Sequence, residues 1–161
     1  MKLERVITMK IETQCLHAGY TPGNGEPLTL PIYQSTTYKY ESTAQVAKLF
    51  DLTADGHMYS RISNPTVAAV EAKIAALEGG VGALCTTSGQ AASLISVLNI
   101  LSCGDHILCT STIYGGTINL FAVTLKRFGI EVSFVDADAS EEELKKQLRP
   151  NTKAVFAETI A

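Results

Sequence analysis

The sequence has no run of basic residues longer than the pair Lys145-Lys146, and its 13 Lys and Arg are outnumbered by 16 Asp and Glu, for a net charge of −3. A protein that follows a nucleic-acid backbone presents a basic stripe, so that class of function is set aside. The longest near-continuous apolar run, Ala91 to Leu101, is broken by Ser93, Ser96 and Asn99 and falls short of the roughly 20 apolar residues a membrane-spanning helix needs. The first residues, Met1 to Thr8, lack the apolar core of a secretory leader. Cysteines stand at 15, 85, 103 and 109, with no CxxC pair, which reads as reduced, buried thiols in a cytosolic protein. His17, His57 and His106 show no HExxH or other ligand spacing, so no metal is expected. Nucleotide motifs fail as well. No GxxxxGK[ST] occurs, and Gly80-Val81-Gly82 has Cys85 where a dinucleotide fingerprint needs its third glycine. No GxSxG nucleophile elbow is present.

What the sequence does have is a globular composition, 46% hydrophobic and 18% charged over 161 residues, enough for one compact domain or a piece of a larger one. Residues 10 to 40 are turn-rich and read as an irregular arm. Ser42-Thr43 open a short helix with Val46, Leu49 and Phe50 at helical spacing. Met58 to Ser63 reads as extended or looped. Asn64-Pro65 are the cap and first residue of a helix carrying Val67, Val70, Ile74 and Leu77, which Gly79-Gly80 stop. After Gly80 strands and helices alternate. Val81 to Thr87 reads as a buried strand, and Gln90 to Leu101 as a helix apolar almost all round and buried on several sides. His106 to Thr110, Glu131 to Val135 and Lys153 to Glu158 read as strands. Gly116 to Phe128 reads as a helix, and Ser140 with Glu143 as the capping box of another. The pattern predicts an α/β fold: a mostly parallel sheet with right-handed crossovers and helices on both faces.

In such a sheet ligands bind beyond the carboxyl ends of the strands. One such end is Thr86-Thr87-Ser88-Gly89-Gln90, where the following helix presents unpaired N–H groups and the positive end of its dipole. It suits a phosphate; an ordinary serine-capped turn has the same appearance. The other is Ser111-Thr112-Ile113-Tyr114-Gly115-Gly116, where Tyr114 can lay its ring on a flat ligand or simply sit at a surface loop. Tyr59-x-Arg61, if extended, points a phenol and a guanidinium to one side; the guanidinium fork suits a phosphate, and a surface pair without a ligand is equally compatible with the spacing.

Taken together, Leu16-His17-Ala18-Gly19, Pro31-Ile32-Tyr33-Gln34-Ser35-Thr36, Tyr59-Ser60-Arg61-Ile62-Ser63-Asn64-Pro65-Thr66, Leu77-Glu78-Gly79-Gly80, Ser88-Gly89-Gln90-Ala91-Ala92 and Tyr114-Gly115-Gly116 resemble the N-terminal part of the Cys/Met-metabolism family of pyridoxal-phosphate (PLP) enzymes, fold type I. The resemblance implies an N-terminal arm with a short helix over 1–57 and an incomplete PLP-binding large domain over 58–161. It implies that Gly89 and Gln90 give backbone N–H groups to the PLP phosphate, that Ser88 shapes that turn, and that Tyr114 stacks on the pyridine ring beside the substrate's leaving group. It implies further that Tyr59 and Arg61 reach the phosphate of a neighbouring subunit, so that the protein is a homo-oligomer, a dimer of dimers. The long arm segment Thr21 to Thr29 and Gln90 look most like the sulfhydrylase branch, which replaces the γ-acetoxy group of O-acetylhomoserine with sulfide or a thiol. Cystathionine γ-synthase, methionine γ-lyase and cystathionine β-lyase share the same motifs. In the family the Schiff-base lysine lies on a Ser-x-Thr-Lys stretch that these residues do not contain, so the chain is expected to be a truncated part, inactive alone. The rivals are a non-catalytic phosphate-binding module and one chain of a split enzyme.

Overall fold

The computed structural model describes residues 9–160; the leader reading of residues 1–8 lies outside the described residues. The chain forms two compact units that divide between Cys85 and Thr86. The junction expected at 57/58 falls inside the first of them.

Among the described residues the first unit holds three helices, α1 (Ile11–His17), α2 (Thr43–Phe50) and α3 (Pro65–Glu78). The arm was expected to be irregular throughout, and α1 corrects that. Seven residues are too few for a hydrophobic period to stand out, and α1 is held by contacts the sequence does not display. Gln14 Nε2 donates to Met9 O at 2.8 Å, and Lys73 Nζ, from α3, donates to Cys15 O and Leu16 O at 3.1 and 3.3 Å. Carbonyls of the last helical turn lack intrahelical partners, so Lys73 does for α1 what a C-cap does elsewhere. Gly19 follows with φ +87°, and a Cβ there would stand 2.2 Å from Ala69 O. The arm therefore runs directly against the α3 backbone, where only glycine fits.

Both predicted caps form. Ser42 Oγ accepts Gln45 N at 3.2 Å, and Asn64 Oδ1 accepts Thr66 N at 2.9 Å. The apolar stripes behave less simply. Leu49 is buried, whereas Phe50 at the end of α2 is exposed. On α3, Val67, Val70 and Ile74 are exposed, and no residue of that helix is buried.

The second unit is α4 (Gly89–Ile100), β1 (His106–Thr110), α5 (Gly115–Asn119) running on into a π-helical segment (Leu120–Leu125), β2 (Glu131–Val135), α6 (Glu141–Gln147) and β3 (Thr152–Phe156). The three strands are parallel in the order β2-β1-β3, with Ile107 opposite Val132 on one side and Ala154 on the other. The strand expected at Val81 to Thr87 is absent. Val81 and Leu84 are exposed, and the Cys85 amide donates to Glu71 Oε1 at 2.8 Å. A strand needs a ladder partner, and among the described residues none lies alongside this segment.

The core gathers Val97 of α4 and Leu101 just past its end, Ile107 and Cys109 of β1, and Phe121 and Leu125 of the π segment. Alternate residues of a strand share a face, which is why Ile107 and Cys109 enter this cluster together. The helix expected as one regular piece from Gly116 to Phe128 changes pitch instead. With i→i+5 bonding, Phe121 and Leu125 both turn fully inward, and Phe121 meets the Phe156 ring edge-on at 5.0 Å between centroids. The α4 helix is less enclosed than its composition suggests: Val97 is its one buried residue, and Ile95 and Ile100 are exposed. The thiols also need correction. Only Cys109, in the central strand, is buried, and burial pushes its thiol up to about 12; Cys15, Cys85 and Cys103 are exposed and free.

His106 is the buried polar group of the sheet. Its Nδ1 bonds Thr152 Oγ1 at 2.7 Å, Thr152 Oγ1 also accepts the Arg149 amide at 2.7 Å, and Nε2 is buried without a partner among the described residues. Burial holds the ring below the ordinary histidine range, nearby Arg149 acts in the same direction, and Glu131 opposes them.

Two stability predictions follow from these contacts. Ser140 Oγ accepts Glu143 N at 3.3 Å while Glu143 Oε2 accepts Ser140 N at 2.8 Å, so Ser140→Ala should lower the unfolding free energy in urea by about 1 kcal/mol. His106 stays neutral in the fold at a pH where the unfolded chain takes up a proton. Its contribution is therefore complete above the ordinary histidine value of about 6.5 and is lost as pH falls through the window below it. The stability gap between the protein and His106→Asn should narrow between about pH 7.5 and pH 5; a gap independent of pH would show that His106 does not titrate this way.

Candidate functional site

Because β1 is flanked by β2 on one side and β3 on the other, the chain leaves β1 for one edge and returns to the opposite edge. A crevice opens at such a reversal, at the carboxyl ends of the two strands concerned. Here those ends are the loop Ser111 to Tyr114 after β1, and Ala157-Glu158 after β3. A cleft of about 330 Å³ lies there, lined by Ser88, Gly89 and Gln90 at the start of α4, by Tyr114, and by Ser93, Thr117 and Glu158.

Ser88 caps α4. Its Oγ accepts Ala91 N at 3.1 Å, and its carbonyl accepts Ala92 N at 3.0 Å and Thr86 Oγ1 at 2.9 Å. The cap thereby uses the third and fourth amides of the helix. The first two, on Gly89 and Gln90, have no acceptor among the described residues, and the serine hydroxyl keeps its own proton free to donate. A Cβ on Gly89 would meet nothing within 4 Å, so the space over these amides is open. The Gln90 side chain turns away to α5, where Nε2 donates to Thr117 Oγ1 at 3.0 Å, and Thr117 is buried.

Tyr114 forms the opposite wall. It precedes α5, and its carbonyl accepts Thr117 N and Ile118 N at 2.8 and 3.1 Å. A Cβ on Gly116 would lie 2.4 Å from Tyr114 Cε1, so the second glycine is what lets the ring fold over the helix start. Tyr114 as a whole remains 64% exposed. The Tyr114 amide donates to Glu158 Oε2 at 3.0 Å.

Of the six residues singled out in the sequence, the cleft brings together Ser88, Gly89, Gln90 and Tyr114. Tyr59 and Arg61 belong to the first unit. Their segment is not a strand: Tyr59 makes a single antiparallel bridge to Thr37, and its carbonyl then accepts Ile62 N and Ser63 N at 2.8 and 2.9 Å, closing a turn. The turn still joins the two side chains, with the Arg61 guanidinium 5.3 Å from the Tyr59 ring centroid. Its anchor is Asn64, whose Nδ2 donates to Tyr33 O, Ser60 Oγ and Tyr38 Oη at 2.9, 2.9 and 3.2 Å. Among the described residues Arg61 has no carboxylate partner.

Thr117 and Glu158 were missed in the sequence. No local motif marks either one, because each joins the cleft through a partner 27 or 44 residues away. Among the described residues, no group of His, Cys, Asp and Glu is placed to hold a metal, and no helix is long and apolar enough to cross a membrane.

Known proteins resemble this chain in sequence and in fold. O-acetyl-L-homoserine sulfhydrylase of Corynebacterium glutamicum is 46% identical over 151 residues, covering 93% of this chain and 35% of that protein. O-acetyl-L-homoserine sulfhydrylase 1 of Thermus thermophilus is 46% identical over 156 residues, covering 94% and 36%. Among solved structures, a Campylobacter jejuni protein described as an O-acetylhomoserine (thiol)-lyase, which carries N'-pyridoxyl-lysine-5'-monophosphate, superposes with a TM-score of 0.82 at 39% identity, over 92% of this chain and 36% of that one. Cystathionine γ-lyase of Lactobacillus plantarum, complexed with L-serine, gives 0.78 at 36% identity, over 94% and 37%. The chain thus spans little more than a third of the length of the relatives it matches, and its fold is the corresponding part of the type I fold of PLP enzymes. The family model for the Cys/Met metabolism PLP-dependent enzymes matches residues 12–161, and the chain belongs to that family.

Proposed function

We propose that these residues are the N-terminal portion of a PLP-dependent O-acetylhomoserine sulfhydrylase, and that the cleft between α4 and Tyr114 holds the cofactor. The observation that carries this reading is the pair of free amides on Gly89 and Gln90, at the start of a 12-residue helix, facing a cleft that an exposed aromatic ring also lines. Helix N-termini with unpaired N–H groups favour phosphate, and the open space above Gly89 is room that any side chain there would fill. The donor set therefore fits the phosphate of PLP, and the ring fits its flat pyridine.

When bound, PLP supplies an electron sink that withdraws charge from the α-carbon of an amino-acid substrate. The residues of this chain would do the rest by binding and orientation. Gly89 and Gln90 N–H, with the Ser88 hydroxyl, would hold the phosphate. Tyr114 would cover the pyridine face and keep water from it, and its Oη would give a proton to the departing acetate oxygen. Tyr59 and Arg61 would add a phenol and a guanidinium to the phosphate of a neighbouring subunit, which would require a homo-oligomer; the family resemblance makes it a dimer of dimers. The Schiff-base lysine would come from residues other than these 161, and residues 58–161 would form part of the PLP-binding large domain. A cytoplasmic location accords with the use of sulfide or a thiol as co-substrate. Identity of 46% to two sulfhydrylases supports this branch over the lyases.

Two measurements test the reading. The complete protein should show the visible absorbance of bound PLP and convert O-acetylhomoserine and sulfide to homocysteine and acetate. Release of an α-keto acid without sulfide incorporation would assign it to the lyases instead, and PLP bound reversibly with no turnover would favour a phosphate-binding module. In the same protein, Arg61→Ala should weaken PLP retention by roughly 10- to 150-fold, the loss of one charge-assisted contact of about 1.5–3 kcal/mol, while the melting temperature without PLP stays put. Equal PLP content in variant and parent would remove Arg61 from the site.

A further inference from the structure

We propose that Glu158 is a positioning residue of this cleft, whose carboxylate holds the backbone of Tyr114 and thereby sets how the Tyr114 ring meets the cofactor. The inference rests on the reading that the cleft binds PLP, and it adds a residue that no motif in the sequence marks.

Glu158 stands two residues past β3, the strand that neighbours β1, so its side chain reaches across the mouth between two adjacent strand ends. There its Oε2 accepts the Tyr114 amide at 3.0 Å. A carboxylate accepting an N–H makes a stronger bond than a neutral oxygen does. Tyr114 has no side-chain cap bond of its own, and its carbonyl is already engaged by Thr117 N and Ile118 N. With Glu158 in place, both polar backbone groups of Tyr114 are fixed, one by the helix it opens and one by the neighbouring strand.

The ring is then constrained from one side only. Its Cδ1, Cε1 and Cζ lie where a Cβ on Gly116 would be 3.1, 2.4 and 3.2 Å away, so the ring rests on the α5 backbone, and it is otherwise exposed. The link from Gln90 Nε2 to Thr117 Oγ1 ties the first turn of α5 to the start of α4. Tyr114 is therefore held from two directions, by α4 through Thr117 and by β3 through Glu158. A carboxylate at the lip of a phosphate cup is electrostatically adverse to the anion, so a role in binding the phosphate does not account for it. Its bond to the Tyr114 amide does.

The test uses the complete protein with three variants, Glu158→Ala, Glu158→Gln and Gly116→Ala. Amide hydrogen exchange of the segment 111–118, measured without PLP, reads the tether directly. The visible circular-dichroism band per bound PLP reads the attitude of the stacked ring. Glu158→Ala should speed exchange at Tyr114 by roughly 10-fold or more and reduce the band by about half, with phosphate competition for the site nearly unchanged because the α4 amides are intact. Glu158→Gln keeps an acceptor oxygen and should restore both signals. Gly116→Ala displaces the ring while Glu158 remains, so it should reduce the band on its own. Faster exchange in Glu158→Ala with an unaltered band would overturn the proposal, leaving Glu158 a brace of the loop only. A Gln variant whose band falls to about half that of the parent would overturn it too, since charge and not the hydrogen bond would then be acting; this comparison, made against the parent, stands even if the Ala variant does not fold. Failure of the parent to bind PLP is seen before any variant is compared, and it would sink the reading of the cleft itself together with this inference.

Discussion

β1 has a parallel neighbour on both edges, and the rest of the second unit is arranged around that constraint. A strand paired on both sides places its backbone groups entirely within the ladder, so it can be buried along its length, and His106 through Cys109 are. The same placement sends the two connections out of β1 and β2 to opposite edges of the sheet. The carboxyl ends of β1 and β3 are left side by side with no connection passing between them. The loop carrying Tyr114 and the residue Glu158 meet there for that reason, and α4 presents its N-terminus to the same cleft. Core packing and site thus depend on one topological fact. The face of β1 that carries Ile107 and Cys109 anchors Phe121 of the π segment, and the helix that Phe121 continues begins at Tyr114.

The chemistry of the cleft is mostly backbone chemistry. Ser88 uses its hydroxyl oxygen on the third amide of α4 and its carbonyl on the fourth, which leaves the first two amides as donors. In the proposed phosphate site their strength would come from being pre-aligned on a helix and sharing its dipole, not from any charged side chain. The π segment has a related role. Its altered pitch lets Phe121 and Leu125 enter the core together, and the first turn of α5, with Thr117 buried and bonded to Gln90, is fixed as a consequence.

How much of this could be read from the sequence depended on the range over which each feature is determined. Caps were legible because they are local: Ser42, Asn64, Ser88 and Ser140 each bond within three residues. The strands at 106, 131 and near 153 were legible because β-branched and aromatic residues between turn signals carry their own propensity. Val81 to Thr87 had the same composition but found no ladder among the described residues, and pairing is a property of two segments, not one. The α1 helix was hidden for the converse reason, since its stabilising partner Lys73 lies 57 and 58 residues away. The cleft was half visible. Ser88, Gly89, Gln90 and Tyr114 carry motif-level signals, while Thr117 and Glu158 enter only through distant hydrogen bonds.

The first unit shows a different balance of forces. No side chain of α3 is buried in it, and a 14-residue helix is marginal in water without tertiary packing. What orders the start of that helix is polar. Asn64, itself buried, caps α3 with one end and with the other draws in Tyr33 O, Tyr38 Oη and Ser60 Oγ, while Thr66 Oγ1 accepts the Tyr33 amide at 2.9 Å. Buried amides are costly unless their bonds are made, so this residue specifies the turn more sharply than an apolar contact would. Tyr59 and Arg61 sit on that turn, between Ser60 and Asn64. The guanidinium is held over the phenol ring without a carboxylate to neutralise it among the described residues, which leaves its donor fork available. A polar hub that fixes the base of a turn while leaving its cation unpaired is an arrangement suited to meeting an anion.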